Sequence, residues 1–268
     1  MSGEREVPRV IILIGVGHVF AIRDRLKEEI RRARPSIVCL ELDAIRWQML
    51  NDERDRRARG EKSERAPFDW RAVGHGGLIF AAIAWTQARL AKTFGSVVGD
   101  EMLAAKEAAD EVGAQMRLID MDTRQFTRHW MSKLTRRERA RLFLSAFAGI
   151  FASRKRVEKE LKEYFDDEDA FVRELAAAFP QTKSALIDDR NAHMARGIAV
   201  ASQAAPVVVA VVGAGHLAGI REELLKGGAA AGDIRLVTLQ ELRAPAKGEG
   251  PRAPSNAEFQ VSFPPPPG

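Results

Sequence analysis

The segment Val7–Leu42, "VPRVIILIGVGHVFAIRDRLKEEIRRARPSIVCLEL", decides the fold that we predict for this chain. Its first part, Val7–Ile14, is a mostly apolar run rich in β-branched residues, which is typical of a strand buried on both faces. Val19–Arg34 follows with the periodicity of an amphipathic helix, and Pro35 stops it. Ser36–Leu42 is a second apolar run. Strand, helix and strand in this order predict a βαβ unit with parallel strands and a right-handed crossover.

The same alternation continues along the rest of the chain. We predict helices over Ala44–Arg59, Leu78–Lys92, Gly99–Val112, Gln181–Gln203 and Leu217–Lys226, and strands over Gln115–Met121, Pro206–Val212 and Ile234–Leu239. A long helical stretch, roughly Thr123–Phe179, interrupts the alternation. The predicted fold class is therefore α/β, with a largely parallel sheet, flanking helices and a central helical insertion at roughly 123–203. In this prediction residues 1–243 form a single domain, and the proline-rich stretch 244–268 is a disordered tail.

The composition narrows the classes of function. The net charge is +5, but basic and acidic residues are interleaved, so we expect no nucleic-acid partner. Cys39 is the only cysteine, which excludes a disulfide framework within the chain and a cysteine-based metal cluster. Its apolar neighbours predict that it packs in the core.

Two long apolar runs, Gly76–Trp85 and Leu142–Phe151, are each about half the length of a membrane span. The first ten residues lack the pattern of a signal peptide. We therefore expect a cytoplasmic protein without an integral membrane segment. The two runs are interpreted as core, with the face of a homodimer as the alternative.

One short phrase, Gly-x-Gly-His, occurs twice, as Gly15–His18 and as Gly213–His216. Each copy follows a predicted strand and opens a predicted helix. The carboxyl ends of parallel strands lie at one edge of a sheet, where open α/β sheets bind ligands, so we expect the two phrases to converge on one site. Glycines allow the backbone to approach a ligand closely, and helix N-termini favour negative charge. The glycines concerned are Gly15, Gly17, Gly213 and Gly215.

Several polar side chains belong to the same predicted edge. His18 and His216 end the two phrases and are candidates to hold a metal, a water or a substrate carbonyl. Glu41 ends the second strand, where a carboxylate would serve as a metal ligand or a general base. Asp43 fits the other role open to a carboxylate here, the N-cap of the next helix. Arg46 is a candidate to clamp an anionic group over the same edge.

The first phrase also imitates a dinucleotide-binding fingerprint, since Glu41 follows it at the end of the second strand. Phe20 occupies the position of the third glycine, however, and His18 stands where the loop must contact a pyrophosphate. A dinucleotide site also leaves the second phrase unexplained. We therefore disfavour it.

These residues resemble the TraB/PrgY family, part of a superfamily with the Tiki proteases and the erythromycin-esterase-like and ChaN-like proteins. Two Gly-x-x-His motifs and a glutamate after the first mark the superfamily, here Gly15-Val-Gly-His18, Gly213-Ala-Gly-His216 and Glu41. "ARPSIVCLELDAIRWQML", "GDEMLAAKEAADEVGAQMRLIDMD" and "LIDDRNAHMARGI" are similar to further family segments, and the last gives Arg190 as the matching arginine. The chain departs from the family at its first motif, usually Gly-Thr-Ala-His. It also departs at Met121, where arginine is common, and at Asn191, where aspartate is common.

The resemblance implies a metal-dependent hydrolase acting on a peptide or similar small substrate at the carboxyl edge of the sheet. His18, Glu41 and His216 would bind a divalent cation (Mn, Co or Zn) and an activated water, while Arg46 and Arg190 stabilise negative charge. Two alternatives remain open. One is a metal-independent esterase in which a histidine is the base and Glu41 orients it. The other is a non-catalytic regulatory protein that binds a peptide or haem.

Overall fold

The structure is a computed structural model and describes residues 9–17, 22–61, 99–141, 173 and 176–244. Several predicted features lie outside these residues: His18, the helix Leu78–Lys92, the apolar runs Gly76–Trp85 and Leu142–Phe151, much of the helical middle, and the tail after residue 244.

The strands and helices of the described chain follow the predicted alternation. The strands are β1 (Val10–Val16), β2 (Ile37–Leu40), β3 (Gln115–Leu118), β4 (Val207–Gly213) and β5 (Ile234–Val237). The helices are α1 (Arg23–Ala33), α2 (Ala44–Ala58), α3 (Asp100–Glu111), α4 (Thr123–Lys133), α5 (Pro180–Lys183), α6 (Asp189–Ala204), α7 (Leu217–Lys226) and α8 (Leu239–Arg243). In the described ranges no helix is long and apolar enough to cross a membrane.

The five strands form one parallel sheet in the order β3-β2-β4-β1-β5, which confirms the predicted fold class. The strands of the first βαβ unit are parallel as predicted, but β4 lies between them. The uninterrupted apolar sequence of β4, "VVVAVVG", suits this central position, where both faces and both edges are covered. The pairing of β1 with β4 ends at Val16 and Gly213, so the two Gly-x-Gly-His phrases begin on neighbouring strands.

Helices cover the sheet on both faces. One face of β1 packs with α1 and α3, through residues such as Leu26 and Ala104. The opposite face packs with α6 and α7, through residues such as Ile198 and Ile220. Both sets of side chains on β1 are buried, which confirms the prediction of a strand buried on two faces. Cys39 is fully buried in the second cluster, where burial raises the pKa of its thiol to about 12, and it packs in the core as predicted.

A π-helical turn, Ser184–Asp188, joins α5 to α6. Such turns introduce one extra residue and change the direction in which the following side chains point. Asp189, the first residue of α6, contacts α4 by accepting hydrogen bonds from Lys133 Nζ (2.5 Å) and pairing with His129 Nε2 (2.7 Å). The next two residues, Arg190 and Asn191, instead contact side chains at the carboxyl edge of the sheet. The first three residues of α6 therefore connect α4 with the carboxyl edge of the sheet.

Gly15 gives a test of the packing between β1 and α7. A Cβ atom at this position would lie 2.4 Å from Leu217 Cδ1. We expect Gly15→Ala to lower the free energy of unfolding by about 1–3 kcal/mol, measured by chemical denaturation, because it overpacks the core. Gly232→Ala, which meets no atom within 4 Å, is the matched control and should change stability by less than about 0.5 kcal/mol. The double variant Gly15→Ala/Leu217→Ala should lose less free energy of unfolding than the two single variants lose together. Losses that are strictly additive would contradict the assigned contact between these two residues.

Candidate functional site

Ionisable side chains follow three neighbouring strands at the carboxyl edge of the sheet. Glu41 comes directly after β2, Asp120 comes two residues after β3, and His216 lies in the short 3-10 turn that follows β4. The exposed fractions of these residues are only 7%, 9% and 6%. Buried ionisable groups need partners, because an unpaired charge out of water is costly.

The partner that these three groups share is Arg190. Its Nε and Nη2 donate to the two carboxylate oxygens of Asp120, at 3.0 and 2.7 Å. Nη2 also donates to Glu41 Oε1, and Nη1 lies 3.1 Å from His216 Nε2. A weaker hydrogen bond of 3.4 Å runs from Nη1 to the backbone carbonyl of Leu186. A guanidinium has five N–H donors, so these contacts use them all. We call Glu41, Asp120, Arg190, Asn191 and His216 the Arg190 cluster.

Both oxygens of Glu41 are engaged. Oε1 accepts from Arg190, and Oε2 accepts from the backbone N–H of Gly213 at 2.6 Å. Burial alone would raise the pKa of Glu41, but the charge of Arg190 and the hydrogen bond from the Gly213 N–H lower it. Glu41 is therefore an ionised carboxylate that ties the end of β2 to the end of β4.

His216 is held through both ring nitrogens. Arginine can only donate, so His216 Nε2 accepts from Arg190 Nη1. The proton is then on Nδ1, which donates to Asn191 Oδ1 at 2.6 Å. Burial lowers the pKa of His216, and Arg190 adds to this effect while Glu41 opposes it. These contacts describe a neutral imidazole.

The amide of Asn191 fits because a neighbouring residue lacks a side chain. A Cβ atom at Gly219, on α7, would lie 2.0 Å from Asn191 Nδ2. Asn191 is one of the positions at which the resembling family commonly has aspartate. An amide brings no negative charge to His216, whereas a carboxylate there would favour the protonated imidazole.

Arg46 lies at the margin of the cluster. Its Nη1 donates to Asp120 Oδ2 at 2.6 Å, and its side chain is 39% exposed. In the described part of the chain we find no other acceptor for this guanidinium, so it presents unused donors at the sheet edge. Burial would raise the pKa of Asp120, but its bonds with Arg190 and the charges of Arg190 and Arg46 lower it. Asp43 caps α2 through the N–H groups of Ile45 and Arg46, as predicted.

The structure brings Glu41, Arg190 and His216 together and places Arg46 one contact away, while His18 is outside the described residues. Two glycines of the Gly-x-Gly-His phrases contribute to contacts within the protein. The space beside Gly15 is filled by Leu217, and the N–H of Gly213 is taken by Glu41. Gly17 is buried and Gly215 is exposed. Sequence reasoning did not single out Asp120, although it is the first carboxylate after β3, as Glu41 is after β2.

A divalent cation at this site was predicted to bind His18, Glu41 and His216. In the described ranges, which do not include His18, no group of three His, Cys, Asp or Glu side chains is arranged to hold a metal. Glu41 Oε1 and His216 Nε2 are 3.5 Å apart, close to the roughly 3.4 Å expected for two ligands of a tetrahedral zinc-like ion. Arg190, however, bonds to both atoms. A dication about 4 Å from a guanidinium is repelled by roughly 8 kcal/mol at an effective dielectric constant of 20. With Arg190 in this position, the described residues do not fit a divalent cation.

Comparison with known proteins bears on the identity of the chain. The family model described as TraB/PrgY/gumN matches residues 84–229, which is more than half of the 268 residues. The chain belongs to the TraB/PrgY/gumN family. The match includes Asp120, Arg190 and His216, while His18 and Glu41 precede it.

A curated relative, an uncharacterized protein of Methanocaldococcus jannaschii, is 27% identical over 224 residues. The aligned region covers 81% of this chain and 53% of the relative, so the chain spans about half the length of the curated relative that it matches. Family membership supports a common fold and leaves the reaction to be argued from the site.

The contact between Asn191 and His216 yields a prediction about protonation. We expect Asn191→Asp to raise the pKa of His216, because it places a carboxylate on Nδ1. In the native protein the lowered pKa means that the stability contributed by His216 is present above its ordinary value of 6.5 and is lost as the pH falls below it. In the variant this acid-side loss should disappear, because the folded state then favours the imidazolium.

The measurement is an NMR titration of the imidazole signals of His216, paired with chemical denaturation at pH 7.5 and 5.5. Asn51→Asp, on α2, is the matched control, since the Asn51 side chain bonds to the carbonyl of Trp47 and not to the cluster. An unchanged His216 titration in a folded Asn191→Asp variant would contradict the assigned contact.

Proposed function

We propose that the chain is a hydrolase that acts on a small peptide or ester at the carboxyl edge of the sheet, without a metal. The observation that carries the proposal is the buried bonding of Arg190 to both Glu41 Oε1 and His216 Nε2. This bonding supports a polar, preorganised site at the edge where open α/β sheets bind ligands. The guanidinium of Arg190 supplies a positive charge within that site. Buried groups with perturbed pKa values cluster at functional sites, which also favours this location.

The general base that we assign is His18. Both ring nitrogens of His216 are engaged, so it has no free lone pair to accept a proton from water. His18 follows Gly17, which comes directly after β1, and β1 is the neighbour of β4. In the proposed reaction His18 takes a proton from a water that attacks the substrate carbonyl. It then gives that proton to the leaving nitrogen or oxygen, so that the products are an acid and an amine or alcohol.

Arg46 is the residue that we expect to contact negative charge on the substrate. It is half exposed, anchored to Asp120 at one nitrogen, and has donors left over. A planar guanidinium suits a carboxylate or the oxyanion of a tetrahedral intermediate. Glu41 and Arg190 act differently in this proposal. Their donors and acceptors are used within the cluster, so they are positioning residues that hold the ends of β2 and β4 and the start of α6 in one arrangement.

The metal-dependent form of the reaction stays a prediction from the sequence. When bound, a divalent cation held by His18, Glu41 and His216 would polarise the carbonyl and lower the pKa of a water. The position of Arg190 disfavours this cation, and the proton transfers assigned to His18 do not require it. A regulatory protein that binds a peptide or haem without turnover also stays a prediction, and such a protein would hydrolyse neither esters nor peptides.

The test is hydrolysis of a panel of nitrophenyl esters and fluorogenic peptides by native protein, His18→Ala and His129→Ala. We expect His18→Ala to lower kcat by about 10²- to 10⁴-fold, the usual contribution of a general base, with the far-UV circular dichroism spectrum unchanged. His129→Ala is the matched control, because His129 lies on α4 and pairs with Asp189, which is not part of the Arg190 cluster, and it should keep kcat within about threefold.

Chelators should leave the native rate unchanged. Full turnover by His18→Ala would exclude His18 as the base. Turnover that stops with a chelator and returns with added metal would favour the metal-dependent form, and no turnover by native protein across the panel would favour the binding protein.

A further inference from the structure

We infer that Arg190 is the resident cation of this site, occupying the position between Glu41 and His216 at which a divalent metal would bind, so that the native chain takes up no divalent metal there. The inference rests on the proposed metal-free function and concerns the same cluster. Its test measures metal binding and not turnover.

The geometry of the acceptors is the first support. Glu41 Oε1 and His216 Nε2 lie 3.5 Å apart, a spacing suited to two ligands of one small cation. The two terminal nitrogens of Arg190 bond to these same two atoms, Nη2 to the carboxylate and Nη1 to the imidazole. The guanidinium therefore uses the lone pairs that a metal would need.

The charge balance is the second support. The buried carboxylates of Glu41 and Asp120 face two guanidinium groups, those of Arg190 and Arg46, and His216 Nε2 accepts a hydrogen bond from Arg190. The cluster therefore has no excess negative charge to attract a dication. Sites for divalent metals, in contrast, carry anionic ligands that the metal itself neutralises.

The anchoring of Arg190 is the third support. Asp120 accepts two hydrogen bonds from the guanidinium in a forked arrangement, at 3.0 and 2.7 Å. Asp120 is in turn fixed by the N–H of Met121 at 2.8 Å and by Arg46 at 2.6 Å. The Arg190 side chain is only 16% exposed. Moving it aside for a metal would break several bonds and leave the carboxyl group of Asp120, which is 3% exposed, short of donors.

Removal of the guanidinium should therefore create a metal site. In Arg190→Met, Glu41 Oε1 and the Nε2 lone pair of His216 would lose the guanidinium that bonds to both of them. A carboxylate and an imidazole 3.5 Å apart can serve as two ligands of zinc, cobalt or manganese, with water completing the coordination. Arg190→Gln is the second variant, because it removes the charge and keeps an N–H donor for Asp120.

The experiment is titration of untagged protein with ZnCl2, CoCl2 and MnCl2, followed by isothermal calorimetry, by the visible absorption of bound cobalt, and by metal analysis after gel filtration. The chains compared are native protein, Arg190→Met, Arg190→Gln and Arg196→Met. Arg196→Met is the matched control, since Arg196 is an exposed arginine of the same helix, α6. We expect no saturable binding by native protein or by the control, and one metal per chain in the Arg190 variants, lost again when His216→Ala is added.

Two results would overturn the inference. One is a native protein that binds one metal per chain and loses it in Glu41→Gln and His216→Ala. The other is a folded Arg190 variant that binds no more metal than native protein. If neither Arg190 variant folds, the titration of native protein alone decides, with absence of binding supporting the inference and one bound metal overturning it. A native protein that neither binds metal nor hydrolyses the substrate panel would contradict the proposed function and support this inference.

Discussion

The arrangement at the carboxyl edge of this protein depends on the buried ion pairs that Arg190 makes with Glu41 and Asp120. A single guanidinium joins the end of β2, the end of β3 and the start of α6, and through His216 it reaches the segment between β4 and α7. Burying a charge without a partner costs free energy, so loss of one partner leaves the remaining buried charges unpaired and destabilises the protein. The five side chains of the Arg190 cluster therefore act as one unit.

The fold makes this unit possible in three ways. Parallel pairing brings the carboxyl ends of β2, β3 and β4 to one edge. After the π-helical turn, α6 begins with Asp189, which contacts α4, and continues with Arg190 and Asn191, which reach the carboxyl edge of the sheet. Glycines provide the clearances, since Gly219 makes room for the amide of Asn191 and Gly213 lets a carboxylate reach a backbone N–H. A Cβ atom at Gly219 would lie 2.0 Å from Asn191 Nδ2 and displace the amide, whereas one at Gly213 would lie 3.3 Å from Glu41 Oε2, a tight contact that a small shift relieves.

The local features of the fold could be predicted from the sequence because they follow from local patterns. Apolar runs indicated β1, β2 and β4, the alternation of strands and helices indicated β3 and β5, and the position of Asp43 before an amphipathic segment indicated the cap of α2. Strand order could not be predicted in the same way. The insertion of β4 between β1 and β2 is a contact across almost two hundred residues, and no local pattern specifies it.

The site shows the same difference between features that local sequence patterns predict and features that only three-dimensional packing determines. The placement of Glu41 and His216 at one edge followed from strand and phrase patterns, whereas the roles of Asp120 and Arg190 depend on side-chain pairing in three dimensions. Arg190 was expected to contact substrate charge, and in the structure all of its donors are used within the protein. The resemblance to the family identified the residue, but only the packing could identify its partners.

The measurement that tests this account most directly is a double-mutant cycle between Glu41→Gln and Arg190→Gln, read out as the free energy of unfolding from chemical denaturation at pH 7.5. If the buried pair holds the edge together, removing one partner should cost most of what removing both costs, and the coupling energy should exceed about 2 kcal/mol. Two changes that add to within about 0.5 kcal/mol would contradict the account, because they would mean that the two side chains act independently.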